Sequence, residues 1–365
     1  MLTHDALKCV LLILTILLPV SFAPVAGVTQ SHQLLGTFFY PWFGHYNHWN
    51  LSGFQPPLNW SSRFLPSAFN IKDPAIALYD SNNTNVIFWQ LQKMRQAGLD
   101  FAISSWWGRD SYDDAVLRKI IFGIMPRGDN PFRNLRWSIV YEKVRFVDPS
   151  IEEIVRDLQY LKATFGSSSS ILRVDGRMVL FVAGAREGLE VYVEKWSEAA
   201  KRVGGLYLVL RDCRECSPFV GKADAWYQFA PANRIQFDSY YWGYASPGYW
   251  IYNESAPRLS RNPTEFANAL RSLRESNVHF ALIETWNDWN EGTQIEPGID
   301  LLTGEGYGDL YVNLTRQIMK ENLDAAAGQP TALLGILLLT VLAILVIAPA
   351  MWVRRRQRNS IKGAN

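Results

Sequence analysis

The sequence 279-HFALIETWNDWNEGTQIEP-297 begins as a short apolar run and continues as a segment dense in acids and tryptophans. A continuous apolar run of about four to eight residues is typical of a strand buried inside a sheet. The segment after it holds four carboxylates and two indoles: Glu284, Asp288, Glu291, Glu296, Trp286 and Trp289. Acids and indoles directly after a buried strand suggest a functional site at the end of that strand. What these side chains can do depends on the elements around them.

Strand and helix patterns alternate along the rest of the chain. Six further apolar runs of strand character lie earlier in the chain than the run that begins at His279, at residues 34–42, 100–107, 136–142, 177–184, 206–212 and 223–230. Helical patterns lie between most of them, at residues 85–98, 150–166, 190–204 and 262–276. Helix stops and a helix start are well placed, at Gly98, Gly166, Gly204 and Asn262-Pro263. This alternation over one domain, residues 28–326, predicts a (β/α)8 TIM barrel. A doubly wound sheet is the alternative, although no glycine-rich phosphate loop follows the first strand.

Both ends of the chain are apolar. Residues 1–27 combine Lys8, an apolar run over 10–20 and small residues at 23–27, which is the layout of a signal peptide, with an uncleaved anchor as the alternative. Residues 331–353 hold 23 residues without a charge, which predicts a transmembrane helix long enough for a hydrocarbon layer of about 30 Å. Arginines in the tail, residues 354–365, predict that the tail is cytoplasmic. The body is therefore expected to be extracellular or lumenal, on a single-pass membrane anchor.

Charge argues against one class of partner. The chain has 36 basic and 34 acidic residues; setting aside Lys8, the four tail arginines and Lys362, and then Asp5, leaves the body at about −3. No polybasic surface is implied, so nucleic acid is not an expected partner. Five glycosylation sequons fall in the body and mildly support an exported domain: Asn50, Asn59, Asn82, Asn253 and Asn313.

Cysteine and histidine pairs offer only weak evidence of a metal site. Cys213 and Cys216 form a CxxC pair, which in an exported chain is compatible with a local disulfide, a redox pair or half a metal site. A second CxxC is missing, which favours a disulfide or two idle thiols. His45 and His48 lack an identifiable third ligand, so sugar or loop contacts are the preferred interpretation. We expect no cofactor and no metal.

Aromatic residues follow several of the predicted strands, where active sites of TIM barrels collect. Rings beside carboxylates form platforms on which the apolar face of a sugar stacks while acids bind its hydroxyls. The candidates from this pattern are Trp42, His48, Trp106, Trp107 and Trp289. Core packing is the alternative for most of the 14 tryptophans. Because Trp106 and Trp107 are consecutive, only one of them can face the barrel interior.

Asp288 and Glu291 are the candidate catalytic pair. Cleavage of a glycosidic bond usually needs one carboxyl group to protonate the leaving oxygen and another to assist at the sugar. The flanking indoles of Trp286 and Trp289 are expected to raise the pKa of Glu291 by limiting its hydration. Glu284 lies closer to the strand and is expected to orient its neighbours, whereas Glu296 is expected to be structural.

The motifs "GTFFYPWFGHYNHW", "DFAISSWWG" and "NDWNEGTQIEP" resemble the endo-α-mannosidases of glycoside hydrolase family 99 and the wider family 99-like domains. The resemblance implies a metal-independent, retaining endo-glycosidase in which Glu291 is the general acid/base. Asp288 would act as a base on the sugar 2-hydroxyl, giving a 1,2-anhydro sugar intermediate. Tyr40, Trp107, Glu142 and Tyr227 fall near family positions that line the sugar subsite.

Two positions depart from the family motif. Asp288 stands where the family has a glutamate, and Asn290 stands where it has a histidine. An aspartate side chain is one methylene shorter, and a misplacement of about 1 Å can cost on the order of a hundredfold in rate.

The leading hypothesis is a membrane-anchored extracellular glycoside hydrolase that cleaves α-linked glycans, with mannosides as the first candidates. Its partners would be an oligosaccharide and, through the C-terminal helix, the membrane. A second hypothesis is a glycan-binding barrel with weak or no turnover, which the shorter Asp288 favours and the retained Glu291 opposes. A third is an accessory protein of glycan assembly.

Overall fold

The computed structural model describes residues 33–44, 64–66, 79–127, 130–145, 147–184, 188–211, 219, 221–237, 242–251, 254–276, 278–300 and 306–321. The predicted signal peptide, transmembrane helix and basic tail lie outside the described residues, as do His45, His48, Cys213 and Cys216. Among the helices that are described, none has the length and apolar character needed to cross a membrane.

The described chain contains thirteen strands. In chain order they are β1 (Leu34–Phe39), β2 (Phe64–Pro66), β3 (Phe101–Trp106), β4 (Arg136–Tyr141), β5 (Arg173–Val174), β6 (Arg177–Val182), β7 (Leu206–Arg211), β8 (Ala225–Tyr227), β9 (Ile235–Phe237), β10 (Trp242–Ala245), β11 (Phe280–Ile283), β12 (Gly298–Asp300) and β13 (Gly306–Gly308). The short strands β2, β12 and β13 form a separate antiparallel sheet.

The main sheet has the strand order of a barrel. Its parallel strands lie in the order β8, β7, β6, β4, β3, β1, β11, β10, so that neighbours in space follow one another along the chain and the last strand lies beside the first. This order agrees with a barrel and excludes the doubly wound alternative, in which the order reverses at a switch point. The prediction of a (β/α)8 barrel is confirmed in part. Among the described residues β8 and β10 are not hydrogen-bonded to each other, and β9 pairs antiparallel with β10.

Helices cover the outside of this sheet. They are α1 (Thr84–Ala97), α2 (Tyr112–Arg118), α3 (Ile151–Phe165), α4 (Leu189–Val203), α5 (Pro263–Glu275) and α6 (Leu310–Arg316). Two of them continue as π-helices, α2 over Lys119–Ile124 and α6 over Gln317–Glu321. The predicted boundary glycines Gly98, Gly166 and Gly204 are C-caps, and Asn262 caps α5 with Pro263 in the first turn. The sequence patterns did not reveal α2, α6, β9 or β10.

Alternation along the strands separates an interior from a helix-covered face. Interior side chains of β1, β3, β6 and β11 meet ring against ring: Phe38 lies 6.1 Å from Phe181, and Phe101 lies 6.1 Å from Phe280. Large rings from facing strands thus fill the interior of the sheet, as side chains do in a closed barrel. The same alternation continues at the carboxyl ends of the strands, where it decides which residues face the site.

Gly36 is the position in β1 where the interior leaves no room for a side chain. A Cβ atom at Gly36 would overlap the ring of Phe101, which is itself fully buried against Phe280. We expect Gly36→Ala to destabilise the fold by about 1–3 kcal/mol, the usual cost of overpacking a core. Thermal or urea unfolding would measure this.

Gly188 provides the matched control for that substitution. A Cβ atom there meets nothing within 4 Å, and the residue lies at the start of α4 with φ −57°. Gly188→Ala should leave the free energy of unfolding nearly unchanged. Equal effects of the two alanines would contradict the tight packing around Gly36.

Candidate active site

The residues that follow β11 fold into a tightly closed loop. The Thr285 amide donates to the Thr293 carbonyl at 2.7 Å, and the Ile295 amide donates to the Thr285 carbonyl at 2.9 Å. The two threonine hydroxyls lie 2.9 Å apart, and the Asp288 amide donates to the Thr285 hydroxyl at 2.9 Å. Paired threonines therefore close the loop at its base and fix the backbone of Asp288.

Glu296, at the end of this loop, is fully buried and accepts four hydrogen bonds. Its Oε2 accepts from the Tyr79 hydroxyl at 2.8 Å and from the Trp289 indole at 2.7 Å. Its Oε1 accepts from the Gln90 amide at 2.7 Å and from the Trp286 indole at 3.2 Å. Burial raises the pKa of Glu296 to about 7, and these donors oppose that rise.

The two indoles of the loop therefore belong to the core. Trp286 and Trp289 are fully buried and point at Glu296. Both indole N–H groups are directed to Glu296, and the expectation that the rings limit the hydration of Glu291 stays a prediction. The structure likewise places Trp289 away from any surface on which a sugar could stack.

Asn287 connects the loop to the end of β1. Its side-chain oxygen accepts from the Tyr40 amide at 2.8 Å, and its side-chain nitrogen donates to the Tyr40 carbonyl at 2.9 Å. A side-chain amide that pairs with both backbone groups of one residue fixes that residue as a neighbouring strand would. Tyr40 is thereby held beside the residue that follows Asn287, the candidate base Asp288.

Asp288 and Glu291 lie together at the carboxyl end of the barrel. The Glu291 amide donates to Asp288 Oδ1 at 3.2 Å. Asp288 is buried and Glu291 is partly exposed, but Glu291 Oε2 is itself buried and has no hydrogen-bond partner among the described residues. An oxygen that is not committed to a protein donor is what a group needs to hand a proton to a substrate.

Burial is the main influence on both carboxyls. It raises the pKa of Asp288 well above its usual range, and the nearby charge of Glu291 adds to this, while the Glu291 amide and Arg145 oppose it. Burial also raises the pKa of Glu291, against the opposing charges of Arg145, Arg211 and Arg258. Two acids so close together share protons, so loss of the first makes loss of the second harder.

Glu142 adds a third carboxylate to this group. It follows β4, is buried, and lies 3.5 Å from Arg145 Nη1 in the turn Lys143–Arg145. Burial raises the pKa of Glu142, and the charges of Arg145 and Arg211 oppose the rise. Burial raises the pKa of the Tyr40 hydroxyl, and the charges of Asp288, Glu142 and Glu291 add to the rise, so this hydroxyl lies near the carboxylate group.

Three aromatic rings lie beside the carboxylates. Tyr40 stacks on Trp42 with ring centres 4.4 Å apart and planes inclined by 25°, and Trp42 lies 6.4 Å from Trp107. We call Tyr40, Trp42 and Trp107 the aromatic wall. Trp42 and Trp107 remain partly exposed, as a surface for stacking requires.

Trp106 lies on the other face of the sheet from Trp107. It is fully buried, its indole donates to Asp114 of α2 at 2.8 Å, and its ring stacks on Tyr160 of α3. Trp106 therefore packs between the sheet and its helices, as strand alternation requires once Trp107 faces the interior.

The structure brings together most, but not all, of the candidates. Those gathered at one site are Asp288, Glu291, Glu142, Tyr40, Trp42 and Trp107. Tyr227 faces the interior, but its hydroxyl donates to the Val182 carbonyl and its ring packs on Phe38 and Phe181, so it belongs to the aromatic packing of the interior. His48 lies outside the described residues.

Sequence reasoning missed the arginines of the site. Arg145 and Arg211 stand at or just beyond the carboxyl ends of β4 and β7, which is the position that marked the other candidates. The Arg211 guanidinium lies over the Phe229 ring at 5.5 Å and donates to the Phe229 carbonyl. The sequence prediction rested on aromatic and acidic residues and therefore did not include these two arginines.

No metal site is evident in the part of the chain that the structure describes, where no group of three or more His, Cys, Asp or Glu side chains has a metal-binding arrangement.

Replacing Glu296 tests how far the loop depends on the buried carboxylate. In Glu296→Gln, one acceptor oxygen becomes an amino group, and that group must face the indole N–H of Trp286 or of Trp289. We expect a loss of about 1–3 kcal/mol in the free energy of unfolding, the usual cost of a buried donor without an acceptor. The exposed Glu190 in α4 is the control, and Glu190→Gln should cost nearly nothing. If the two variants unfolded alike, Glu296 would not hold the loop.

Comparison with known proteins gives a match in fold. A family model described as a domain of unknown function (DUF5010) matches residues 210–327. No curated protein matches the chain. The chain is similar to the solved structure of the GH99 endo-alpha-mannosidase from Bacteroides thetaiotaomicron, with a TM-score of 0.59, 17% identity, and coverage of 81% of this chain and 98% of that chain. The same enzyme in complex with bis-tris propane gives a TM-score of 0.59, 18% identity and coverage of 82% and 99%. The chain thus shares the fold of these two structures.

Proposed function

We propose that this protein is a glycoside hydrolase that cleaves α-linked glycans, with Glu291 as the general acid and Asp288 as the base or electrostatic support. The observation that carries the proposal is the carboxyl pair at the carboxyl end of the barrel, the buried Asp288 and the partly exposed Glu291, next to the aromatic wall. Carboxyl groups with raised pKa values beside stacking rings are the combination that glycosidic cleavage needs.

The substrate class is suggested by likeness. The structural neighbours are named as endo-alpha-mannosidases, and the motif "NDWNEGTQIEP" resembles that of family 99. α-Mannosides are therefore the first substrates to test. Internal cleavage and retention of configuration follow from the same resemblance and are part of the proposal.

The reaction divides between the two acids. Glu291 donates a proton to the departing oxygen, which requires that it be protonated at rest, and burial raises its pKa in that direction. Asp288 then takes a proton from the sugar 2-hydroxyl, so that this oxygen bonds to the anomeric carbon as the leaving group departs. Asp288 must be ionised for this step, and Arg145 is the cation that opposes the rise of its pKa.

The strongly raised pKa of Asp288 favours a second candidate function, a barrel that binds glycans without cleaving them. Burial raises the pKa of Asp288 well above its usual range, and the charge of Glu291 adds to the rise. A protonated Asp288 donates a hydrogen bond to a sugar hydroxyl but removes no proton from it. Turnover decides between the two functions.

Kinetics on a matched pair of α-mannosides, one with a poor leaving group and one with an activated leaving group, test the assignment. Glu291→Gln should abolish turnover of the poor leaving group, affect the activated one less, and largely spare binding, because amide and acid have similar shapes. Asp288→Asn should impair both substrates, whereas Asp288→Glu should keep or raise activity.

Wild-type rates in both amide variants would place the catalytic carboxylates elsewhere. A wild-type protein that binds α-mannosides and α-glucosides but turns over none of them would support the binding function instead. Glu190→Gln, on the exposed face of α4, serves as the control for nonspecific effects.

The raised pKa of Asp288 also predicts a pH-dependent stability. An acid whose pKa is higher in the folded state contributes most to stability below its unfolded pKa, and that contribution is lost as the pH rises through the folded value. Asp288→Asn keeps an acceptor for the Glu291 amide but cannot ionise. The variant should therefore match the wild type near pH 4 and exceed it by about 1 kcal/mol at pH 8, a gain typical of relieving a functional site.

Melting temperatures at pH 4, 6 and 8 would check this difference. Asp175→Asn, at an exposed position between β5 and β6, should show no such divergence. A constant gap between Asp288→Asn and wild type at all three pH values would mean that Asp288 does not titrate in this range.

We further propose that the barrel is displayed on the outer side of a membrane by the segment 331–353. The support is the uncharged length of this segment and the arginines after it. Protease added to intact cells should digest the barrel and spare an epitope tag fused after Asn365. Protection of the barrel until the membrane is opened would overturn this topology.

A further inference from the structure

Two acids in the first turn of α2 accept hydrogen bonds from the Trp106-Trp107 pair. The Asp113 carboxylate accepts the backbone N–H of Trp107 at 2.6 Å, and the Asp114 carboxylate accepts the indole N–H of Trp106 at 2.8 Å. Asp114 also accepts from the Tyr160 hydroxyl at 2.7 Å, so it belongs to the packing between sheet and helices. Two adjacent acids thus serve opposite faces of the sheet.

Asp113 acts at the point where the chain leaves β3. The parallel pairing of β3 with β4 ends at Trp106, opposite Tyr141, and Gly108 then turns the chain at φ +136°. Trp107 lies between the last strand residue and this turn, and the peptide that joins it to Trp106 is held from both sides: its carbonyl accepts from the Glu142 amide at 3.0 Å, and its N–H donates to Asp113. The bond from the Trp107 amide to Asp113 fixes the backbone from which the indole projects toward Trp42.

Asp113 is buried, and carboxylates are rarely buried unless a partner satisfies them. It is 4% exposed, at the start of a helix whose N-cap Ser111 has its own side-chain bond to the Asp114 amide. Burial of a carboxylate is costly unless hydrogen bonds satisfy it, and a charged acceptor forms a stronger bond than a neutral one. The ionised Asp113 therefore holds the Trp107 amide more firmly than a neutral side chain would.

We propose that Asp113 is a positioning residue that orients Trp107 within the aromatic wall, and that its ionisation tightens the wall for sugar stacking. The stacking part rests on the proposed function, whereas the positioning of Trp107 does not. Asp113 itself touches no reacting atom.

The ionisation of Asp113 falls in an accessible pH range. Burial raises its pKa to about 6, the charge of Asp114 adds to the rise, and hydrogen bonds from Ser111 and the Trp107 amide oppose it. The other charged groups nearby are Arg109 and Asp110, which pair with each other in the turn after Trp107, and Arg118 of α2, which donates to the Tyr160 hydroxyl. As the pH falls through about 6, Asp113 gains a proton, its bond to Trp107 weakens, and the indole loosens.

Fluorine NMR of the full chain labelled with 5-fluorotryptophan tests the positioning directly and needs no sugar. The Trp107 resonance, assigned with Trp107→Phe, should shift between pH 4.5 and 8 with a midpoint near 6. Asp113→Asn, which keeps the acceptor oxygen but cannot ionise, should abolish this titration. The matched control Asp114→Asn should preserve it while lowering the melting temperature. A resonance that does not titrate in the wild type, or that still titrates in Asp113→Asn, would overturn the proposal.

A binding measurement tests the effect on sugars. The contribution of Trp107 to the affinity for an α-linked mannobiose should fall several-fold in the wild type when the pH is lowered from 7.5 to 5. In Asp113→Asn this contribution should not change over the same pH range. Asp113→Ala should weaken binding about tenfold at pH 7.5, as loss of a hydrogen bond to a charged group would. If Asp113→Asn shows the wild-type pH dependence of affinity, the link to the wall is wrong. If no α-mannoside binds the wild type, the proposed function fails, and the fluorine titration alone decides the role of Asp113.

Discussion

The buried carboxylate of Glu296 is the interaction on which the site depends. A carboxylate in the core is stable only with enough donors, and Glu296 takes its donors from Tyr79, which precedes α1, from Gln90 of α1 and from both indoles of its own loop. Trp286 and Trp289 are three residues apart, as are Asp288 and Glu291. In a tightly closed loop this spacing sends the indoles inward and leaves the acids on the side that faces the barrel mouth. The core thus positions Asp288 and Glu291 through the backbone of the loop.

Electrostatics at the barrel mouth are a balance between burial and a few cations. Glu142, Asp288 and Glu291 crowd one another, and burial raises the pKa of each. Arg145 opposes the rise for all three, and it is the arginine placed closest to the group by its ion pair with Glu142. Because this pair lies next to the aromatic wall, sugar binding that excludes further water would strengthen every one of these interactions. The protonation state of the free protein is therefore a starting point for the reaction and not its final state.

Much of this arrangement could be predicted from the sequence, for identifiable reasons. Strand order followed from apolar runs separated by helical periodicity, and the site followed from the rule that barrel strands carry function at their carboxyl ends. The consecutive pair Trp106-Trp107 could be divided in principle by alternation, but not assigned, because the inward face of β3 is fixed only by Phe101 meeting Phe280 in the folded molecule. The role of the indoles beside Glu291 could not be predicted either. Trp289 reaches Glu296 through a loop closed by Thr285 and Thr293, and this closure leaves no periodic trace in the sequence.

The position of the short Asp288 side chain depends on the hydrogen bonds that hold its loop. Thr285 fixes the Asp288 amide, Asn287 pairs with both backbone groups of Tyr40, and Trp289 is tied to Glu296. With anchors on both sides, the backbone of residue 288 cannot advance to make up for a missing methylene. The carboxylate is therefore set back toward the core, which agrees with its burial and with its strongly raised pKa. The set-back position of the Asp288 carboxylate therefore has two linked effects. It lengthens the path from the carboxylate to a sugar hydroxyl, and it removes the water that would keep the carboxylate ionised. Under the proposed mechanism, the ionised Asp288 beside a sugar hydroxyl would need stabilisation from Arg145 or from a polar group of the substrate, because burial disfavours the charge.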